Sequence, residues 1–222
     1  MEEKTILELI RNEIYTDSKE IKSQFKNSFE KEIENFIKNI SMGYIAWKKF
    51  DSEIGNNEDK AHISSLLYSA ISNQIVSMKL LVLGYLVPSG NIQRQIIETI
   101  AMALLSSKIS LGFLARYKEQ KYSTSLAIRD VLRNYSKLGI NKKALQKLER
   151  LHAFYHNYSH PTLLTIGTFV SFHNFKAGHT YLGASFDEGK IKFYKKEFDT
   201  RLGIAEMFTN IILGIKKNLQ LK

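Results

Sequence analysis

Residues 18–50 read SKEIKSQFKNSFEKEIENFIKNISMGYIAWKKF, and the spacing of their apolar positions decides the fold class. Ile21, Phe25, Phe29, Ile33, Phe36, Ile37, Ile40, Tyr44 and Trp47 recur every three or four residues. At 3.6 residues per turn they form one stripe, with Lys and Glu on the other face, which predicts a long helix that buries one side only. Ahead of it, Thr5 to Tyr15 predicts a short amphipathic helix that ends near Thr16-Asp17-Ser18, where Asp or Ser can cap the next one.

The same period continues downstream. A polar turn over 51–59, containing Gly55-Asn56-Asn57, leads into a second long helix over about 58–86. Leu66, Leu67, Ile71, Ile75, Leu80, Leu81 and Leu83 make that helix apolar on more than one side, as expected for the spine of a bundle. Pro88-Ser89-Gly90 should end it, and a third helix over about 91–109 turns Ile92, Ile96, Ile97, Ile100, Ala101 and Leu104 inward. Two more helices, 126–138 and 144–158, flank Gly139-Ile140-Asn141, in which Gly139 suits a C-cap and Asn141 an N-cap. Pro161 suits the first turn of another, running to about Phe172.

The period changes once. Residues 179–194, with Asp187-Glu188-Gly189 at the centre and alternating apolar residues on either side, read as a β-hairpin, and a closing helix follows over 200–219. No repeat, linker or Gly-rich phosphate loop marks a boundary. The expected fold is therefore all-α, a multi-helix bundle with a small C-terminal β-hairpin. It forms a single domain over 1–222, with N-terminal helices in 1–57, a core in 58–175, and the hairpin and closing helix in 176–222.

With 44% hydrophobic residues, a chain of 222 can bury a sizeable core without staples. It contains no cysteine, which excludes disulfides, thiolate metal sites and cysteine nucleophiles and suits a reducing compartment, so the expected address is the cytoplasm. Met1-Glu2-Glu3-Lys4 is unlike a secretory signal. The most apolar stretch, 63–87, is interrupted by Asn73, Gln74 and Lys79 and reads as a buried helix, so no membrane association is expected.

Charge is unevenly spread. Residues 1–60 carry 10 basic and 13 acidic side chains, a net −3, and residues 61–222 carry a net +13. The excess is densest over 108–150, at net +8, and Arg116, Lys118, Lys121, Arg129 and Arg133 are the expected contacts to a nucleic acid such as RNA. The competing reading is a solvated basic surface that serves solubility.

Residues 149–161, ERLHAFYHNYSHP, gather three of the six histidines. On one continuous helix Glu149, His152, His156 and His160 would share a face, with Arg150 beside them. Arg150 holding a phosphate, with His156 and His160 moving protons, would suffice for metal-free phosphodiester chemistry, since in RNA the 2′-hydroxyl itself attacks. Two histidines at i and i+4 are also a half-site for zinc, and Glu149-x-x-His152 is half of a di-iron motif, but no second half is present, so neither metal nor cofactor is expected. Arg94 and Glu98, at i and i+4 amid apolar residues, read as a semi-buried ion pair that either braces the fold or orients a histidine.

Arg94-x-x-x-Glu98 together with Tyr155-x-x-x-Ser159-His160-Pro161 resembles a family of bacterial helical proteins that carry an R-x-x-x-E helix and a Y-x-x-x-S-H-P segment. The likeness spans about 60–175, which makes 58–175 the matching core, and it implies that Arg94, Glu98, Tyr155 and Ser159 meet at a shared polar centre. Arg150-x-x-x-x-x-His156 is similar to the Arg/His spacing of the HEPN superfamily, although Leu151 follows the arginine where active members usually carry a polar residue. That resemblance implies metal-independent RNA cleavage by a homodimer in phage defence or a toxin–antitoxin system, with a cognate antitoxin or defence partner. The alternatives are a non-catalytic helical module that binds nucleic acid or a protein, and a metal-dependent helical-bundle enzyme.

Overall fold

A computed structural model describes residues 3–171 and 180–221. Its elements run α1 (Glu3–Tyr15), α2 (Lys19–Glu53), α3 (Glu58–Val82), α4 (Leu86–Ser106), α5 (Phe113–Lys118), α6 (Ala127–Arg133), α7 (Lys142–His156), α8 (Leu163–Thr168) and α9 (Ile191–Asn218). Short 3-10 turns cover Ile109–Leu111, Thr124–Leu126, Asn157–Ser159 and Glu188–Lys190. Among the described residues there is no strand, only one antiparallel bridge between Val170 and Thr180, so the protein is all-α. No described helix is long and apolar enough to cross a membrane.

Local chemistry sets the helix ends. Ser18 Oγ accepts from Ile21 N, Asn57 Oδ1 from Lys60 N, and Asn141 Oδ1 from Lys143 N, each satisfying an amide that lacks an intrahelical partner. Pro88 does not end a helix. It lies in the first turn of α4, where a missing N–H costs nothing, and the break falls earlier, at Gly84. Gly84 holds a left-handed φ of +87°, and a Cβ there would meet Ser185 N at 2.7 Å, so only glycine admits the 184–186 segment against this corner. The helix expected after Pro161 is shorter than its pattern; α8 starts on a Thr162/Thr165 capping box and ends at Thr168, and Phe172 lies outside the described residues.

The core joins α2, α3, α4 and α9. The Phe25 and Phe29 part of the stripe read from residues 18–50 faces α9, where the Phe29 ring stacks on Phe198 at 4.5 Å and Phe25 meets Tyr194 at 4.9 Å, while Ile37 and Tyr44 are exposed and Trp47 turns to Ser64 and Tyr68 of α3. Each such phenylalanine, fully removed from water, contributes roughly 1.5–3 kcal/mol. The spine is α4 rather than α3. Every residue from Ile100 to Ser107 is buried, whereas α3 leaves Tyr68, Ile75 and Val76 half-exposed.

The expected β-hairpin is absent from the described residues; His179, at its start, lies outside them. Lys190 to Tyr194, read as its second strand, instead closes a 3-10 turn and opens α9. Asp187 Oδ1 accepts from Gly189 N and caps this start. Ile191, Tyr194, Phe198 and Arg201 follow at helical spacing, and burying Tyr194 against Phe25 and Phe186 favours the helix over an unpartnered edge.

Candidate functional site

Asn91, Arg94 and Glu98 lie at i, i+3 and i+7 on α4 and so share one face, which looks onto the C-terminal end of α7 and the turn after it. Arg94 Nε donates to Glu98 Oε1 at 2.9 Å, and Nη1 donates to Ser159 Oγ at 3.0 Å. Ser159 in turn donates to Asn91 Oδ1 at 3.1 Å. His152, from the inner flank of α7, places Nε2 2.8 Å from the same Glu98 Oε1. These side chains are semi-buried, with 20%, 13% and 17% of the Arg94, Glu98 and His152 side chains exposed.

The hydrogen bond from His152, reinforced by the bond and charge of Arg94, holds the Glu98 carboxyl below the usual carboxylate range despite its burial. Next to this pair, His156 and His160 are exposed, and their rings meet edge to face at 4.6 Å. Loss of hydration at the cluster, followed by the positive charge of Arg94 and the neighbouring histidines, lowers the His156 pKa, which favours the neutral imidazole. Arg94 has five N–H donors in a planar fork and uses two of them among the described residues, which leaves its Nη2 edge for an anion. A cleft of about 330 Å³ opens beside His160, lined by Ser159, Tyr158, Val87, Pro161 and Phe169.

A second polar centre, fully buried, lies behind the first. Arg201 of α9, 1% exposed, donates from Nη1 to Glu197 Oε2 at 2.6 Å, from Nη2 to Ser89 Oγ at 2.6 Å and from Nε to Ser77 Oγ at 3.2 Å. Tyr155 and Tyr158 donate to the two oxygens of Glu197 at 3.0 and 2.9 Å. Ser77 also donates to Gln93 Oε1. This network ties α3, α4 and α9 to the two tyrosines that bracket His156, and it thereby sets where the Asn157–Ser159 turn sits. Gly90 completes the fit, because a Cβ there would lie 2.5 Å from Tyr158 Cγ.

The motif residues of the R-x-x-x-E and Y-x-x-x-S-H-P resemblance are thus neighbours in space. Arg94, Glu98 and Ser159 are directly bonded, while Tyr155 belongs to the buried network behind them. Arg94 and Glu98 reach His152 and Ser159 rather than His156 or His160. The helix stops at His156, so His160 lies beyond it in extended backbone and returns to His156 through the intervening turn. Arg150 is elsewhere. Six residues along one helix set it about 120° from His156, on the exposed side of α7.

The basic residues named from the sequence are largely engaged. Lys118 pairs with Glu58 at 2.7 Å and Asp59 at 3.2 Å, Lys121 pairs with Glu119 at 2.9 Å, and Arg129 and Arg133 share Asp130. Arg116 lies over the Phe113 and Tyr122 rings. Among the described residues no three His, Asp or Glu side chains are grouped to hold a metal.

Sequence reasoning missed Glu197, Arg201, Ser77, Ser89 and Asn91. The signal for the first two was present as Glu197-x-x-x-Arg201, which encloses Phe198 and follows Tyr194, the same i, i+4 pairing that exposed Arg94 and Glu98. Reading residues 190–194 as a strand and starting the last helix at 200 split that pair. Comparison with protein-family models, curated proteins and solved structures found no match.

Proposed function

We propose that this protein is a metal-independent ribonuclease, the activity that the HEPN-like Arg150/His156 spacing implies, but with Arg94 in place of the Arg150 of that spacing as the cation that holds the phosphate. The observation that supports this is the Arg94 guanidinium, fixed by Glu98 and Ser159 with one edge spare, whose charge acts on an exposed His156 in contact with His160. Neutral His156 takes the proton of a ribose 2′-hydroxyl, and the 2′-oxygen attacks phosphorus. His160, as imidazolium, protonates the 5′-oxygen as the P–O5′ bond breaks, leaving a 2′,3′-cyclic phosphate and a 5′-hydroxyl. Arg94 stabilises the charge that builds on the phosphorane, the largest single contribution available to such a site. A homodimer, a cytoplasmic setting in phage defence or a toxin–antitoxin system, and a cognate antitoxin belong to the same proposal.

The second reading is a non-catalytic module that binds nucleic acid or a protein. It is favoured by the way Arg94 already bridges two elements through Glu98 and Ser159, which is also what a structural ion pair does.

The deciding experiment incubates purified protein with total RNA, with and without chelator, beside the Arg94→Ala, His156→Ala and Arg150→Ala variants, and reads fragment ends. The proposal expects chelator-resistant ends bearing 2′,3′-cyclic phosphate, lost in the first two variants and retained, with weaker substrate affinity, in the third. Undiminished cleavage by Arg94→Ala would overturn the assignment of the cation, and absence of cleavage by the wild type would leave the binding module.

A further inference from the structure

Within residues 116–150 the cations differ in what holds them. Those of 116–133 are ion-paired or stacked on rings. On α7, Lys143, Lys147 and Arg150 are exposed, lie at i, i+4 and i+7, and make no ion pair among the described residues. Their side chains fall within about 60° of one another on the solvent-facing pole of the helix. The next position of the same stripe, i+11, is Phe154, and Lys196 of α9 sits over its ring with Nζ 4.5 Å from the centroid. The row therefore runs Lys143, Lys147, Arg150, Phe154/Lys196 over three helical turns, about 16 Å, and ends in the C-terminal turn of α7, which closes on His156, whose side chain lies about 160° around the helix from Phe154.

We infer that this stripe of α7 is the surface that receives the phosphate backbone of single-stranded RNA and leads it toward the helix end. Two features support the inference. Cations already neutralised by Asp or Glu gain little by meeting a phosphate, whereas unpaired ones release condensed counterions from the strand when they bind. A regular row one helical turn apart matches a polymer with a repeating charge, not a single anion. The inference deepens the ribonuclease proposal and rests on it for the identity of the polymer, but binding is measured separately from cleavage.

The test uses the full-length protein with His156→Ala to prevent cleavage and a fluorescein-labelled oligouridylate, followed by anisotropy at several salt concentrations. Replacing Lys143, Lys147 and Arg150 together by Ala touches no buried group, and circular dichroism checks that folding is kept. A control replaces Lys121, Arg129 and Arg133 by Ala. The stripe variant is expected to lose at least tenfold in affinity, and the slope of log K against log salt should fall by about 2, at roughly 0.7 for each phosphate that is no longer neutralised. The control should lose less affinity than the stripe variant, because two of its three charges are balanced by Glu119 and Asp130.

Equal losses in the two variants, or unchanged affinity in the stripe variant, would overturn the inference, as would equal displacement of RNA by polyglutamate. If the stripe binds RNA but wild-type protein does not cleave it, the stripe stands and the ribonuclease proposal falls. If cleavage continues with unchanged KM in the stripe variant, the reverse holds.

Discussion

The Tyr158 hydroxyl donates to Glu197 Oε1 at 2.9 Å, while its ring fills the space that a Cβ at Gly90 would need. A residue on the turn that ends the histidine segment is thus fixed from two sides, by a buried carboxylate and by a bare stretch of α4 backbone. Gly90→Ala should force the ring or the helix to move and cost about 1–3 kcal/mol, as overpacked positions do. Chemical denaturation measures the loss, and a stability equal to wild type would show that the ring is not confined there.

Arg201 and Glu197 are each 1% exposed and neutralise one another in the core. Arg201→Met leaves Glu197 with its two tyrosines but no counter-charge, and should destabilise the protein by about 3–5 kcal/mol. Adding Glu197→Leu to that variant should recover part of the loss, because the stranded charge is removed. A double variant at least as unstable as the sum of the singles would refute this account of the pair.

Glu98 connects folding to pH. Its folded pKa is depressed, chiefly by the bond from His152, so it contributes stability above the unfolded carboxylate pKa, and that contribution is lost as pH falls through the depressed value. Glu98→Gln should lower stability at neutral pH by about 1–3 kcal/mol, the cost of weakening a charge-assisted bond, and should flatten the acid limb of the stability profile. Parallel profiles for wild type and variant would show that Glu98 titrates normally.

His156 reports on Arg94. Because partial loss of hydration comes first and the Arg94 charge second in lowering its pKa, Arg94→Gln should raise the His156 titration midpoint toward the ordinary histidine value. The His156 ring resonances, followed by NMR across the pH range, read this directly. Under the ribonuclease proposal the rising limb of the pH–rate profile shifts in the same direction. A midpoint unmoved by Arg94→Gln would separate the two residues electrostatically and remove Arg94 from the site.

Most of the helices were legible because burial of a one-sided stripe is a local property of the chain. The stripe from Ile21 to Trp47 predicts α2 and, through Phe25 and Phe29, the side of it that packs on α9. The Arg94/Glu98 pair was legible for a similar reason, since two opposite charges four residues apart among Ile and Leu need each other. Ser159 and His160 could be named from their motif, but the sequence did not say whether Glu98 would reach His152, His156 or His160. That choice depends on the α4–α7 crossing and on where α7 stops.

Composition and periodicity by themselves determined an all-α chain without thiol chemistry, with its positive charge gathered past residue 60 and an acid/base cluster at one helix end. Tertiary structure decided that Lys118 is paired, because Glu58 and Asp59 lie 60 and 59 positions away, whereas Arg129 and Arg133 meet Asp130 one and three residues from them. It also decided that Lys190 to Tyr194 is helical. An alternating segment satisfies a strand and a helix start equally well on its own, and the choice was made by Phe25 and Phe186, whose rings are in place to bury Tyr194 only when the chain has already turned into α9.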